Sequence, residues 1–230
     1  MSVGALLLCA GQGERLGLGM PKAAATLAGR PLFTWSLDAL DRCPAVHAIV
    51  MVGPVRTLKD LAAASAAPTA KVAGWVEGGR ERQHSVAKGL AALPADCTLV
   101  AVHDSARALV SPDCVARVIG AALEHGAALA AMPLEDTLKR ATLDTVDATV
   151  TRAGLWRAQT PQVFRRDWLE AAHAAAQATA TDDAALVEAL GHRVHLVQGE
   201  STNFKITTAD DLSLAEAWLA GAHGEDARWR

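Results

Sequence analysis

The sequence predicts an α/β fold, a doubly wound and mostly parallel sheet from which a β-hairpin arm projects. Short apolar runs typical of buried parallel strands alternate with segments of helical period. One polar, threonine-rich stretch interrupts this alternation. With 230 residues, 51% of them hydrophobic, the chain has enough apolar material for a large core. No linker-like or low-complexity tract divides the sequence, so we expect a single domain over residues 1–230.

The predicted strands are the apolar runs, and the predicted helices fill the intervals or close the chain. The strands are Ala5–Cys9, Ala48–Val52, Val72–Val76, Leu99–His103, Ala127–Met132 and Val194–Val197. The helices are Leu32–Asp41, Thr57–Ala66, Gln83–Ala92, Asp113–His125, Asp167–Ala178, Asp182–Leu190 and Ala209–Ala220. Because the strands are apolar throughout, we expect helices to cover both faces of the sheet.

The stretch from Glu135 to Arg152 differs from its surroundings in composition. It carries five threonines among charged residues, with Val146 and Val150 between them. β-Branched residues favour extended backbone, which predicts a β-hairpin arm over residues 135–152. An isolated two-stranded ribbon is only marginally stable in water, so we expect a partner to order the arm.

Composition and charge exclude several classes of protein. The formal charge of -3 and the pI near 6.2 argue against a broad nucleic-acid surface, so an anion site must be local. The four cysteines show neither a CxxC pair nor a disulfide or zinc spacing, which favours a reducing cytoplasm. The apolar run Val3–Cys9 is too short to span a bilayer and has no preceding positive charge, so we expect no membrane association.

The segment from Leu6 to Lys22, LLLCAGQGERLGLGMPK, runs from an apolar strand into a glycine-rich turn. A turn of this kind directs backbone N–H groups at phosphates, and Arg15 and Lys22 add positive charge. The combination suits a nucleoside triphosphate, whose charge must be neutralised during group transfer. Leu16 breaks the GxGxxG dinucleotide pattern, and no GK[ST] completes a P-loop. The alternative is a solvated turn with two surface cations.

Other candidate residues also have ordinary structural explanations. Asp104 ends a predicted strand, where α/β proteins bind ligands, but an acid there also caps helices. Lys205 in the apolar strand Asn203–Thr207 suggests function, although snorkelling to the surface is the ordinary explanation. His103 is interpreted as structural because no metal-ligand spacing accompanies it, and Trp156 and Phe164 as core aromatics.

The Leu6 to Lys22 segment resembles the signature of the sugar-nucleotidyltransferase superfamily, A-A-G-x-G-x-R followed by P-K. Further segments resemble the methylerythritol phosphate cytidylyltransferase family within it, in the right order and over nearly the whole chain. They are EGGRERQHS at 77–85, VHDSAR at 102–107, EDTLKR at 135–140, RAGLWRAQTPQVF at 152–164, TDD at 181–183 and NFKIT at 203–207. Cys9, Ala23, Ala24 and Arg80 depart from the residues common in the family.

The resemblance implies a Rossmann-like nucleotidyltransferase fold and transfer of CMP from CTP to 2-C-methyl-D-erythritol 4-phosphate, with release of pyrophosphate, in non-mevalonate isoprenoid synthesis. The implied catalytic residues are Arg15, Lys22, Arg152 and Lys205. The implied nucleotide-binding residues are Ala10, Gly11, Gly13, Gly78, Gly79, Arg80, Arg82, Ser85, Asp104 and Ser105. The implied acceptor-binding residues are Arg107, Thr137, Arg152, Thr160, Thr181 and Lys205. Mg²⁺ is expected mainly on the CTP phosphates, near Asp104.

The resemblance also implies a homodimer clasped through the arms, with Thr137 of one subunit reaching the site of its partner. Two alternatives stay open at this point. A ribitol-5-phosphate cytidylyltransferase would share the scaffold and much of the nucleotide site, and a non-catalytic nucleotide-binding regulator would share the fold. The presence of Arg15, Lys22, Arg152 and Lys205 disfavours the regulator.

Overall fold

The computed structural model describes residues 2–11, 13 and 21–222 of the chain. The strands are β1 (Ser2–Leu8), β2 (Thr26–Leu27), β3 (Arg30–Pro31), β4 (Ala48–Val52), β5 (Val72–Val76), β6 (Cys97–Asp104), β7 (Ala127–Pro133), β8 (Leu138–Thr142), β9 (Thr145–Val150), β10 (Trp156–Arg165) and β11 (His195–Gln198). The helices are α1 (Leu32–Arg42), α2 (Val55–Ala64), α3 (Arg82–Ala92), α4 (Pro112–His125), α5 (Arg166–Ala175), α6 (Asp183–Ala189) and α7 (Ala209–Ala222), with a short 3₁₀ turn at Lys22–Ala24.

A central sheet organises the described residues, with seven strands in the order β11-β7-β10-β6-β1-β4-β5. Strand β1 pairs in parallel with β4 and β6, β4 with β5, and β7 with β11. Within this sheet, only β10 runs antiparallel to its neighbours, β6 and β7, among the pairings of the described residues. The predicted doubly wound, mostly parallel α/β sheet is confirmed.

Alternating strand residues feed two hydrophobic layers on opposite faces of the sheet. Leu7 and Ile49 pack with α1, α2 and α4 on one face. Leu6, Val50 and Phe164 pack with α3, α5 and α6 on the other. All five side chains are fully buried, which explains why the strands are apolar at consecutive positions.

The strand order reverses between β1 and β6, because β4 and β5 lie beyond β1 while β10 lies beyond β6. Leu8, the last residue of β1, pairs with Asp104, the last residue of β6. The loops that follow these two parallel strands therefore leave the sheet at the same edge. In open α/β sheets this reversal forms the crevice where ligands bind.

The predicted arm forms a hairpin separate from the central sheet. Strands β8 and β9 pair antiparallel, from Leu138 opposite Val150 to Thr142 opposite Thr145. The Lys139 ammonium donates to Thr149 Oγ1 at 2.7 Å across the pair. At the tip, Leu143 adopts a left-handed backbone, and its side chain is 98% exposed. The hairpin therefore presents apolar as well as polar side chains to solvent.

Strand β10 was not among the predicted strands, although most of it lies in the motif at 152–164 that the sequence analysis singled out. Its residues Gln159, Thr160 and Gln162 are polar yet buried, which hides the apolar pattern of a central strand. Pro161 removes a ladder donor and argues against a central strand. The structure accommodates it at a register shift of the β10–β7 pairing between Ala158 and Gln162.

Two smaller sequence predictions are wrong. Asn203–Thr207 forms no strand; it is an extended segment held by separate hydrogen bonds, such as Ile206 N–H to the Ala106 carbonyl at 2.8 Å. Trp156 is 40% exposed because β10 extends beyond the core toward the arm, whereas Phe164 is fully buried as predicted. The helix boundaries differ from the predicted ones by up to three residues.

The four cysteines of the sequence are all free and buried. Burial raises the pKa of the Cys9 thiol to about 12, against a lowering by its hydrogen bond with Ser105, so Cys9 acts as a small apolar residue directly after β1. Among the described helices, none is long and apolar enough to cross a membrane.

The placement of β10 is tested by Phe164→Ala. Removal of this fully buried ring should lower the free energy of unfolding by about 3 to 5 kcal/mol, through lost burial and the cavity left behind. Trp156→Ala, in the same strand but 40% exposed, should lower it by about 1 kcal/mol or less. Urea denaturation measures both, and equal losses would contradict the exposed position of Trp156.

Candidate active site

The first loop of the site follows β1 and ends at Lys22. The backbone N–H of Lys22 donates to the Gly11 carbonyl at 3.0 Å, which closes the loop. Gly13 has a φ of +72°, and a β-carbon there would lie 3.1 Å from the Lys22 backbone. Glycine is therefore required for this turn to pass so close to Lys22. Arg15 lies outside the described residues.

The second loop follows β5 and touches the first. A β-carbon on Gly78 would lie 2.4 Å from the β-carbon of Ala10, so only glycine permits this contact. Ser85 Oγ accepts from the Gly79 N–H at 2.9 Å and donates to the Glu81 carbonyl at 3.2 Å. The buried Ser85 hydroxyl therefore braces the loop from within.

Two further residues of the second loop, Arg80 and Arg82, differ in their surroundings. Arg80 is exposed at the turn before α3. Arg82, the first residue of α3, points away from the loop toward β6, where its guanidinium reaches Asp104. The family resemblance grouped both with the nucleotide-binding loop, but the structure gives Arg82 an acidic partner at the sheet edge.

Asp104 lies between two cations at the end of β6. Arg82 Nε donates to one carboxylate oxygen at 3.2 Å, and Lys205 Nζ donates to the other at 2.7 Å. Burial alone would raise the pKa of the Asp104 carboxyl, but Arg82 and Lys205 hold it well below its usual range. Asp104 is therefore ionised at neutral pH. It holds the exposed Lys205 ammonium at the edge of the sheet where the strand order reverses, which is the switch point of the fold.

Thr160 fixes the backbone of Asp104 from the neighbouring strand β10. Its buried hydroxyl accepts from the Asp104 N–H at 3.1 Å and donates to His103 Nδ1 at 3.1 Å. The His103 Nε2–H donates to the Arg107 carbonyl at 3.3 Å, since a carbonyl only accepts. Burial lowers the pKa of His103 to about 4, so the ring is neutral and its role is structural.

Arg107 and Ser105, which follow Asp104 closely in the chain, bond to neighbouring segments. The Arg107 guanidinium donates to the Asn203 carbonyl at 2.8 Å and to the Ala158 carbonyl at 3.1 Å. Ser105 is buried, and its N–H donates to the Leu8 carbonyl at 3.0 Å. These contacts join β1, β10 and the C-terminal segment around the site.

Two amide side chains that sequence reasoning did not assign deliver Lys205 to the site. Asn203 Nδ2 donates to Gln159 Oε1 at 3.2 Å and to the Thr160 carbonyl at 2.8 Å. Gln159 Nε2 donates to the Glu200 carbonyl at 2.9 Å. The available sequence signal was the presence of amides beside apolar residues, but their partners lie more than forty positions away.

The remaining candidates lie outside this cluster. Thr137 precedes β8 and Arg152 follows β9, so both are at the base of the arm, where their side chains are exposed. Thr181 is also exposed, at the turn before α6. Sequence reasoning missed Asp183 in this turn, although it pairs with Arg82 Nη1 at 2.6 Å.

The donor set suits a nucleotide-carried Mg²⁺ better than a protein-caged metal. No cluster of three or more His, Cys, Asp or Glu side chains occurs within residues 2–11, 13 and 21–222. Asp104 supplies an ionised carboxylate at the sheet edge. Mg²⁺ is commonly bound by one or two carboxylates plus substrate phosphates, so Asp104 fits that arrangement.

Comparisons with known proteins agree with this geometry. Residues 3–221 match the family model described as 2-C-methyl-D-erythritol 4-phosphate cytidylyltransferase. The Gloeobacter violaceus protein of that name is 43% identical over 220 residues, covering 93% of this chain and 94% of its own. The crystal structure of the Thermus thermophilus protein of that name is 39% identical, with a TM-score of 0.79 over 96% of this chain and 100% of its own.

A second solved structure, of 4-diphosphocytidyl-2C-methyl-D-erythritol synthase from Anaerococcus prevotii, is 28% identical. Its TM-score is 0.81, over 95% of this chain and 98% of its own. The family match spans both loops, Asp104, the arm and the Lys205 segment. The chain therefore belongs to the 2-C-methyl-D-erythritol 4-phosphate cytidylyltransferase family.

Proposed function

We propose that the chain transfers CMP from CTP to 2-C-methyl-D-erythritol 4-phosphate and releases pyrophosphate, a step of isoprenoid precursor synthesis. The observation that carries the proposal is the Lys205–Asp104 pair at the switch point, beside the joined Ala10 and Gly78 loops. Family membership supports the same reaction. A reducing cytoplasm remains the expected compartment, supported by four buried, unpaired cysteines.

In the proposed reaction, a phosphate oxygen of the acceptor bonds to the α-phosphorus of CTP as the bond to the bridging oxygen breaks. Pyrophosphate leaves with that electron pair, and no protein nucleophile takes part. Two anions must approach each other, so positioning and charge neutralisation supply the catalysis. We assign Lys22 and Arg15 to the α-phosphate, and Lys205 and Arg152 to the acceptor phosphate.

The two glycine loops are assigned to the nucleotide. Backbone groups of Gly78 and Gly79 face the cytosine, because a residue without a side chain lets a base edge approach closely. Gly11 and Gly13 direct backbone N–H groups toward the phosphates. Asp104 would hold Mg²⁺, which would neutralise charge on the CTP phosphates.

The acceptor site is completed by a second copy of the chain. Leu143, Val146, Leu155 and Trp156, on the arm or at its base, are all at least 40% exposed. Burying them against a partner would stabilise an otherwise isolated ribbon. In this arrangement Thr137 of one subunit enters the site that holds Lys22 and Lys205 of the other.

A pyrophosphate-release assay over four nucleoside triphosphates and several polyol phosphates tests the function. CTP with methylerythritol phosphate and Mg²⁺ should give the highest kcat/KM, and UTP should fall at least about a hundredfold lower, since it lacks the cytosine amino group. A higher kcat/KM with ribitol 5-phosphate would overturn the acceptor. CTP binding without turnover on any acceptor would indicate a regulator instead.

Lys205→Met tests the acceptor phosphate site. Loss of this charge should raise the activation free energy by about 3 to 5 kcal/mol, because the charge acts on the reacting phosphates. The kcat/KM for the acceptor should therefore fall by about two to four orders of magnitude. Calorimetric CTP affinity should change little. The control is Lys71→Met, whose ammonium contacts the Cys43 carbonyl at 2.8 Å, away from the site. A large loss of CTP affinity in Lys205→Met would place Lys205 on the nucleotide.

Mixed dimers test whether the sites are shared. Thr137→Asp should abolish activity by placing a carboxylate against the acceptor phosphate, and Lys22→Ala by removing charge from the transition state. Refolded together in equal amounts, the two variants form about half hybrid dimers, each with one intact site, so roughly a quarter of wild-type activity returns. No recovery, with hybrids confirmed by mass spectrometry, would show that Thr137 serves its own subunit.

A further inference from the structure

A line of buried ionic contacts runs from Asp104 into the interior, behind the face proposed to bind substrates. Arg82 Nε contacts Asp104 at 3.2 Å, and Arg82 Nη1 contacts the Asp183 carboxylate at 2.6 Å. The other Asp183 oxygen accepts from His173 Nε2 at 2.9 Å. The side chains of Asp183 and His173 are only 1% and 5% exposed. The line therefore joins α5, α6 and α3 to the end of β6.

Asp183 and Asp104 contact different nitrogens of the same Arg82 guanidinium. The guanidinium is planar and rigid, so anchoring Nη1 on Asp183 sets the direction of Nε. Arg82 Nη2 is buried and has no hydrogen-bond partner in the part of the chain that the structure describes. Without Asp183, the Asp104 contact would be the remaining ionic anchor of Arg82 among the described contacts. The guanidinium could then rotate.

The effect extends to Lys205 because Asp104 uses one oxygen for each cation. If Arg82 turned away, both Asp104 oxygens would be open to the Lys205 ammonium, and the carboxylate would lose its fixed orientation. Burial alone would lower the pKa of Arg82, but Asp183 and Asp104 carry it above its usual range. Arg82 thus stays charged while it bridges the two acids.

Stability alone is a poor reason for this arrangement. A buried ion pair gains little net stability over well-packed apolar side chains, because desolvation of the charges offsets their attraction. The His173 ring adds a further cost, since its buried Nδ1 has no partner among the described residues. An arrangement that costs desolvation yet ends at the substrate-facing carboxylate is better explained by orientation.

We propose that Asp183 is a positioning residue, which orients Arg82 and through it Asp104 and Lys205, and that His173 in turn orients Asp183. The inference rests on the proposed function, because the consequence is measured in the cytidylyl transfer. It assigns Asp183 and His173 no contact with substrate.

The first test compares Asp183→Asn with Asp182→Asn. Asp182 is a matched control, since it caps the same helix through Ala185 N–H at 3.0 Å and contacts Gln162 at 2.9 Å. Asp183→Asn should lower kcat and raise the acceptor KM, reducing kcat/KM by about ten- to a hundredfold, as when a partner behind a site residue is removed. CTP affinity by calorimetry should stay within about threefold. Asp182→Asn should retain kcat within about threefold.

A double-mutant cycle separates positioning from loss of structure. If Asp183 acts through Arg82, then Arg82→Gln and Arg82→Gln/Asp183→Asn should share the same kcat, whereas independent effects would multiply. Multiplying losses, or an Asp183→Asn enzyme with wild-type kinetics, would overturn the inference. Inactive wild-type enzyme would instead overturn the proposed function, so the two failures are distinguishable.

The His173 position provides a second test if Asp183→Asn does not fold. His173→Gln keeps a donor for Asp183, whereas His173→Leu removes it at similar size. The Gln variant should retain kcat within about threefold, and the Leu variant should lose about tenfold. Both unfolding midpoints are measured in urea. Equal kcat for the two variants would overturn the role of His173.

Discussion

The site depends on the balance of charge at Asp104. A carboxylate in this largely buried position needs cationic partners, and Arg82 and Lys205 supply one for each oxygen. The two cations in turn need the carboxylate between them, since like charges at this separation repel. Strand β6 ends here beside β1, so the balance sits at the reversal of strand order where the sheet opens to ligands.

Buried polar side chains support this balance from the β10 side. Thr160 holds the Asp104 backbone, while Gln159 and Asn203 secure the segment that carries Lys205. Hydrogen-bonded polar networks of this kind favour one arrangement, because each unmade hydrogen bond in a buried position is costly. Among the described residues, Asn203 Oδ1 is the atom of these three side chains that is buried without a partner. Strand β10 thus supplies polar side chains that position Asp104 and the Lys205 segment, whereas the parallel strands supply hydrophobic burial. Its polar composition is a requirement of the site rather than a weakness of the sheet.

Periodicity predicted most of the fold correctly. Continuous apolar runs at Ala48–Val52 and Val72–Val76 coincide with observed strands. Burial on both faces explains the strong pattern of Ala48–Val52, whereas Val72–Val76 is a partly exposed strand at the edge of the sheet. Periodicity failed at Trp156–Arg165, whose buried residues include a proline and two amides that hydrogen-bond to residues 20 or more positions away. The local hydrophobic pattern indicates where apolar side chains are buried. It does not indicate polar side chains that are buried because they hydrogen-bond to distant residues.

The candidate site divides in the same way. Motifs located the two glycine loops, Asp104 and Lys205, since each combines unusual residue types over a short stretch. They did not separate Arg82 from its loop neighbours or identify Asp183, because an acid at a helix start has the same local appearance whether it caps the helix or pairs with an arginine 101 positions away. Pairing at that separation is a property of the folded chain.

The late position of Lys205 in the chain has a consequence for protein synthesis. The sheet strands through β10 are complete by residue 165. Lys205, whose ammonium contacts Asp104, lies 101 residues after Asp104 in the chain. On the ribosome, the two glycine loops, Arg82 and most of the core therefore emerge before Lys205, the second charge partner of Asp104. Until Asn203 reaches Gln159 and Thr160, the nascent protein has most of its sheet but lacks the contact between Lys205 and Asp104.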